Sequence, residues 1–156
     1  MPTPIGNLGD MTLRSLEALR EADVVCAEDT RVTGKLLAHF GIEKRLARLD
    51  EAMIGSRAAG VVERVAAGEV VAYCSDAGMP AISDPGELLV AQCAERGIPV
   101  LVVPGPSAVV SALAISGLPT GRFTFEGFLS VNKKSRRDHL EEVKTERRTM
   151  VFYEAP

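Results

Sequence analysis

Ser75-Asp76-Ala77-Gly78-Met79-Pro80-Ala81-Ile82-Ser83-Asp84-Pro85-Gly86 follows the apolar run Val70-Val71-Ala72-Tyr73-Cys74 and leads into a segment with helical spacing. A shorter stretch repeats the arrangement: Val100-Leu101-Val102-Val103, then Pro104-Gly105-Pro106-Ser107-Ala108, then an apolar helix-like segment to about Ser116. Strand-like run, Gly/Pro-rich turn and helix, in that order, predict an α/β fold with an open, mainly parallel sheet and helices on both faces. Loops at the carboxyl ends of such strands form the ligand crevice. Gly and small polar residues there let backbone come close to a ligand. The two stretches are therefore expected to be neighbours and to share one site.

Upstream, Pro4-Ile5-Gly6-Asn7-Leu8-Gly9-Asp10 reads as a turn before a helix that Asp10 or Thr12 can cap, with Leu13, Leu16 and Leu19 on one face. Only Met1 to Thr3 precede that turn, so the first strand is either very short or trimmed at its start. The run Asp23 to Ala27 is a buried strand ending at Glu28-Asp29-Thr30-Arg31, and Thr33 to Phe40 is a short helix stopped by Gly41. Met53 to Ala67 has a helical alternation weakened by Gly55 and Gly60. Asp84-Pro85-Gly86-Glu87 has the form of a capping box for the helix that runs to Arg96.

The stretch Gly117-Leu118-Pro119-Thr120-Gly121 reads as a domain boundary, dividing an N-terminal α/β domain (1–117) from a linker and the opening of a second (118–156). Beyond it lie a strand-like run (Phe123 to Leu129), a basic loop, a helix capped by Ser135, and a second strand-like run (Thr149 to Glu154). So short a segment cannot bury a core alone, which predicts the start of a truncated second α/β domain.

Hydrophobic residues make up 46% of the 156 and charged residues 25%, the composition of an ordinary globular protein. With no apolar run near the roughly 20 residues needed to span a bilayer and no signal peptide, a cytoplasmic location is expected. Cys26, Cys74 and Cys93 have no metal-ligand spacing, and two lie in strand-like runs, so they read as buried reduced thiols. His39 and His139 stand singly; no metal is expected. The net charge of −3 is unevenly spread: residues 1–121 carry 10 basic and 15 acidic side chains, residues 122–156 carry 8 and 6. An acidic body with one basic segment does not bind nucleic acid over its whole surface, but it can hold a phosphate backbone locally.

Six segments, TPIGNLGDMTLRSLEAL, ADVVCAEDTR, SDAGMPAISDPG, PGPSA, SGLPTGRFTFEGFL and TMVFYEAP, together resemble the tetrapyrrole methylase superfamily. The AEDTR and SDAGMPAISDPG forms are most similar to its ribosomal RNA branch. That branch methylates the ribose 2′-hydroxyl of a cytidine in the decoding region of small-subunit RNA. The resemblance covers nearly the whole chain except residues 43–69. It implies a two-domain, homodimeric, S-adenosylmethionine-dependent methyltransferase acting on small-subunit ribosomal RNA. Two departures stand out. Leu49-Asp50-Glu51-Ala52 occupies the place of an aromatic-His-Glu-Asn patch, and Ser130-Val131-Asn132 precedes Lys133 and Lys134 where the family usually has Pro.

By this resemblance Leu8, Ser75, Asp76, Met79, Ser107, Ala108, Tyr153 and Glu154 line the cofactor. Asp76 is the expected carboxylate for its ribose or amine, unless it is only a turn residue. Ser107 can equally be a helix cap, and Asp84 is read mainly as one. Glu28 and Asp29 are candidate acceptors for the 2′-hydroxyl proton, and Arg31 a candidate phosphate contact. An exposed turn with a local Asp-Arg pair is the other reading of those three. Lys133, Lys134, Arg136 and Arg137 are the expected RNA contact, or else a solvated helix start. Two further functions stay open: a methylase for a tetrapyrrole or similar small molecule, and an inactive piece that only binds or dimerises.

Overall fold

The computed structural model describes residues 1–154. The chain forms two compact units, Met1–Ser107 and the remainder from Ala108. The division falls ahead of the Gly117–Gly121 turn.

In the first unit three parallel strands, β1 (Val24–Ala27), β2 (Leu46–Arg48) and β3 (Val71–Cys74), lie in the order β2-β1-β3. Every residue of β1 is fully buried because both faces of this central strand are covered. Successive side chains point to opposite faces, and the core divides accordingly. Val25, Ala72 and Cys74 pack with Leu16 and Leu19 of α1 (Leu13–Glu21) and Leu37 of α2 (Thr30–His39). Cys26 packs with Ile54, Ala58 and Val62 of α3 (Glu51–Ala66) and with Leu89 and Cys93 of α4 (Gly86–Glu95). The sheet is thus parallel with helices on both faces. All three cysteines are buried free thiols, and burial pushes that of Cys74 up to about 11.

The helix starts follow from side-chain caps. Thr12, not Asp10, caps α1 by accepting from the Ser15 N–H at 3.1 Å. Asp29 accepts from the Arg31 N–H at 2.8 Å, so α2 begins at Thr30, ahead of the Thr33 expected from periodicity. Asp50 accepts from the Met53 N–H at 3.0 Å and starts α3 at Glu51. Asp50 thus has a structural task in the segment that departs from the family pattern.

Two strand assignments differ from the sequence reading. Leu46–Arg48 pairs with β1 although it has no strand-like pattern; at three residues it is too short to show one. Val100–Val103, the expected strand before PGPSA, joins no ladder. Leu101 is 85% and Val102 66% exposed, while Val103 alone is buried. Just past its end the Pro2 ring lies against Gly105, and the Pro2 nitrogen carries no hydrogen to donate. The opening segment is instead tied to β3. The Met1 amino group donates to the Tyr73 carbonyl at 2.7 Å, and Thr3 forms an isolated antiparallel bridge with Gly78.

The second unit contains α5 (Ala108–Ile115) and a parallel pair, β4 (Phe123–Phe128) and β5 (Thr149–Tyr153), joined through α6 (Lys133–Val143). Tyr153 packs its ring on Phe125 and Phe128, at centroid distances of 4.9 and 5.1 Å. α6 is capped by Asn132, not by Ser135. The Asn132 Oδ1 accepts from the Lys134 and Ser135 N–H groups at 3.0 and 3.1 Å, which places Ser135 inside the helix. No helix among the described residues is long and apolar enough to cross a membrane.

Candidate functional site

The site begins where β1 and β3 end. The ladder pairs Ala27 with Cys74, so Glu28 and Ser75 are the first residues past it on adjacent strands. The Glu28 N–H still donates to the Cys74 carbonyl at 3.3 Å. Two side chains then cross between the strand ends in opposite directions. Asp76 Oδ1 accepts from the Asp29 N–H at 3.0 Å, and Glu28 Oε2 accepts from the Asp76 N–H at 3.4 Å. Each carboxylate thereby satisfies a backbone donor that the finished ladder leaves free.

The opening loop closes on the same place. Thr3 and Gly78 exchange backbone hydrogen bonds at 3.0 Å in both directions, and the Thr3 hydroxyl donates to the Ser75 carbonyl at 3.1 Å. Gly78 has φ +78°, and a Cβ there would lie 3.4 Å from Ile5 Cγ2 and 3.9 Å from the Pro106 carbonyl oxygen. Three loops therefore meet at Gly78: the one leading to Leu8, the one carrying Ser75, Asp76 and Met79, and the one ending in Ser107. The expected neighbourhood of the two Gly-rich turns is present, although only one of them leaves a paired strand. Ser75 is buried, Met79 half-buried, and Asp76 and Leu8 are exposed.

The carboxylates differ in electrostatic character. Arg31 clasps Asp29 through both carboxylate oxygens, with Nε at 3.0 and 3.1 Å and Nη2 at 2.6 Å. These bonds hold the Asp29 carboxyl well below the usual carboxylate range. Glu28 moves the other way: partial burial, followed by the negative charges of Asp76, Asp84 and Asp50, raises its carboxyl above the ordinary value, against the hydrogen bond from Asp76. The Tyr73 hydroxyl is buried without a partner, and burial together with the charges of Asp84 and Glu28 keeps it protonated. Sequence patterning missed Tyr73, Thr3 and the cross-strand exchange. A lone Tyr in an aliphatic strand and a Thr at the start of a turn were the available signals.

The remaining candidates lie in the second unit. Ala108 opens α5, Tyr153 closes β5, and Glu154 follows it exposed. Lys133, Lys134 and Arg137 are exposed on the first turns of α6, whose first turn holds no acidic residue. Arg136 is partly occupied, donating from Nε to the Ser130 carbonyl at 3.0 Å. His139 Nε2 lies 3.2 Å from Glu126 Oε2, and no cluster of His, Cys, Asp and Glu among the described residues could hold a metal ion. A hollow of about 650 Å³ between the end of α2 and the start of β2, lined by Leu37, Ile42 and Leu46, opens at the amino ends of the strands and takes no part in this site.

Parallel strands with helices on both faces define an α/β protein, a class whose members bind ligands at the carboxyl ends of the strands. Residues 2–156 match the model of the tetrapyrrole (corrin/porphyrin) methylases, and the chain belongs to that family. Among its relatives, a ribosomal RNA small subunit methyltransferase I of Xylella fastidiosa is 52% identical over 98% of this chain and 56% of its own length. The protein so named from Vibrio cholerae is 49% identical over 100% of this chain and 54% of its own. The chain thus spans about half the length of these curated relatives. Among solved structures, uroporphyrin-III-C-methyltransferase from Thermus thermophilus matches 82% of the chain and 58% of its own with TM-score 0.61 at 26% identity. A conserved hypothetical protein from Aeropyrum pernix K1 matches 78% of the chain and 43% of its own with TM-score 0.62 at 27% identity.

S-adenosylmethionine, the cofactor implied by the resemblance, carries a sulfonium and an ammonium, both cationic, and a ribose diol that donates hydrogen bonds. The donor set at the strand ends fits it. Asp76 is an exposed carboxylate, and Glu28 lies beside it. Arg31, the cation beside them, is already engaged by Asp29.

Proposed function

We propose that the protein is an S-adenosylmethionine-dependent methyltransferase. It transfers a methyl group to the ribose 2′-hydroxyl of a cytidine in the decoding region of small-subunit ribosomal RNA. The observation that carries this reading is the pair of strand ends cross-tied by Glu28 and Asp76, an acidic, backbone-lined place for a cationic nucleoside. The names of relatives about half identical to the chain favour RNA over other acceptors.

Bound there, S-adenosylmethionine supplies an electrophilic methyl group on a sulfonium. Asp76 holds the ribose diol or the ammonium; Ser75, Met79, Leu8 and Ser107 provide the surrounding surface. Glu28 would take the proton of the 2′-hydroxyl at Oε1, the oxygen not engaged by Asp76. A raised carboxyl suits that task, because a base works best when its affinity for the proton approaches that of the medium. Asp29, with its proton affinity lowered and its oxygens held by Arg31, fits a structural role instead. Arg31 offers its outward N–H groups to a phosphate. Lys133, Lys134 and Arg137 on the first turns of α6 hold the RNA backbone. Cations oppose the dipole at a helix N-terminus, and a phosphate there relieves that opposition. A cytoplasmic, homodimeric state goes with this reading; the exposed apolar residues Val100, Leu101 and Val102 favour self-association.

The test is methyl transfer from tritiated S-adenosylmethionine to small ribosomal subunits by the full chain. Label recovered in an alkali-resistant cytidine dinucleotide is the expected result, since a 2′-O-methyl group blocks strand cleavage. The match to a uroporphyrin methyltransferase fold favours a second reading, a tetrapyrrole acceptor. Label in uroporphyrinogen and none in RNA would establish that one, and label in neither would leave the chain a binding piece.

A further inference from the structure

Asp84 does more than the capping its sequence context suggests. Helix α4 begins at Gly86, with Pro85 before it already at helical dihedrals; Asp84 bonds the Gly86 N–H as a cap does, but no Glu87 arm completes the expected box among the described residues. The same oxygen, Asp84 Oδ1, accepts from two backbone donors: the Gly86 N–H at 2.8 Å ahead of it and the Ala81 N–H at 3.1 Å behind it. Between and beside these donors lie Ala81 at φ +64° and Ser83 at φ +51°, the only non-glycine residues with positive φ among those described. Neither is a residue that adopts the left-handed region readily, so an interaction must hold the loop in this shape.

The same carboxylate is fixed from the other side. A Cβ at Gly86 would sit 2.8 Å from Asp84 Oδ1 and 2.5 Å from Tyr73 Cε1, so glycine alone lets the ring and the carboxylate converge there. Tyr73 is on β3, two residues before Ser75, and the Asp84 charge reaches both its hydroxyl and Glu28. Asp84 therefore connects the distal limb of the loop to the strand end from which Ser75 and Asp76 project. We infer that Asp84 is a positioning residue: its single acceptor oxygen holds Ala81 and Ser83 in left-handed bends and so fixes the loop that carries Asp76 and Met79. That this loop receives the cofactor rests on the function proposed above; that Asp84 shapes it does not.

Three variants test this: Asp84→Asn, which keeps the Oδ1 acceptor; Asp84→Ala, which removes it; and Asp84→Ala combined with Ala81→Gly and Ser83→Gly, which relieves the bends. Amide hydrogen exchange over residues 77–86 without ligand, and calorimetric affinity for S-adenosylhomocysteine, are the two readouts. Asp84→Ala should accelerate exchange in the loop and weaken binding about tenfold or more. Asp84→Asn should stay near the parent chain in both, and the triple variant should recover part of the lost affinity. Unchanged loop exchange in Asp84→Ala, or an Asn variant as impaired as Ala, would overturn the inference. If the parent chain binds no S-adenosylhomocysteine, the cofactor reading fails while the exchange data still decide the role of Asp84.

Discussion

At the scale of single residues, Glu28 and Asp29 are neighbours in sequence with opposite assignments. Partial burial raises the Glu28 carboxyl and the clasp of Arg31 lowers that of Asp29. Glu28→Gln should therefore reduce turnover by about 10²-fold or more, the usual contribution of a general base, while Asp29→Asn leaves it nearly intact; single-turnover methyl transfer reads both. Stability should move the other way. The folded chain binds the Glu28 proton more tightly than the unfolded chain does, so the stabilisation it contributes is complete below the unfolded value. It is lost as pH rises through the folded value. Glu28→Gln should accordingly melt above the parent chain at neutral pH, with the gain vanishing in acid. Asp29 has the reverse sign: its stabilisation is present above the ordinary carboxylate value and disappears as pH falls through its lowered one. Asp29→Ala, which also loses the cap of α2, should melt below both Asp29→Asn and the parent. An Asp29→Asn variant as inactive as Glu28→Gln would reverse the assignment.

At the scale of elements, the basic start of α6 separates from an ordinary solvated helix by its salt dependence. Each Lys or Arg on a phosphate contributes about 0.7–0.9 to the slope of log affinity against log salt. Neutralising Lys133, Lys134 and Arg137 together should flatten that slope by about 2–3 in filter binding to small-subunit RNA. An unchanged slope would leave α6 a wet surface. Arg136 should matter less, because the Ser130 carbonyl already occupies its Nε. The same helix shows where sequence reading stops. Ser135 has the right type and spacing for a cap, but Asn132 stands three residues earlier and takes the donors first. Asp84-Pro85-Gly86-Glu87 spells a capping box, and the Asp84 oxygen does bond the Gly86 N–H, but it also reaches back across the loop to Ala81. Local spelling names the residues able to bond a backbone; which donor reaches them is decided by the chain's path. The paired runs around β1 and β3 were legible because burial on both faces writes a continuous apolar string. Val100–Val103 writes the same string without a partner strand, and β2 is too short to write one.

At the scale of the whole molecule, the charge imbalance seen in composition has a structural counterpart within each unit. The first brings Glu28 and Asp76 together at tied strand ends; the second presents its cations on α6. That the loops meeting at Gly78 are neighbours was legible from their glycines and small polar residues. The crossed carboxylate bonds were not, because they depend on the β1–β3 register, which no local pattern specifies. The central claim, that these strand ends receive a methyl-donating nucleoside, is tested most directly by an NMR titration of the chain with S-adenosylhomocysteine, which detects weak binding as well as strong. The account predicts that the amide signals of Asp29, Asp76 and Gly78 move together and saturably, and that Asp76→Ala abolishes the response. Signals that stay still at these three positions, or that move alike with Asp76 removed, would contradict it.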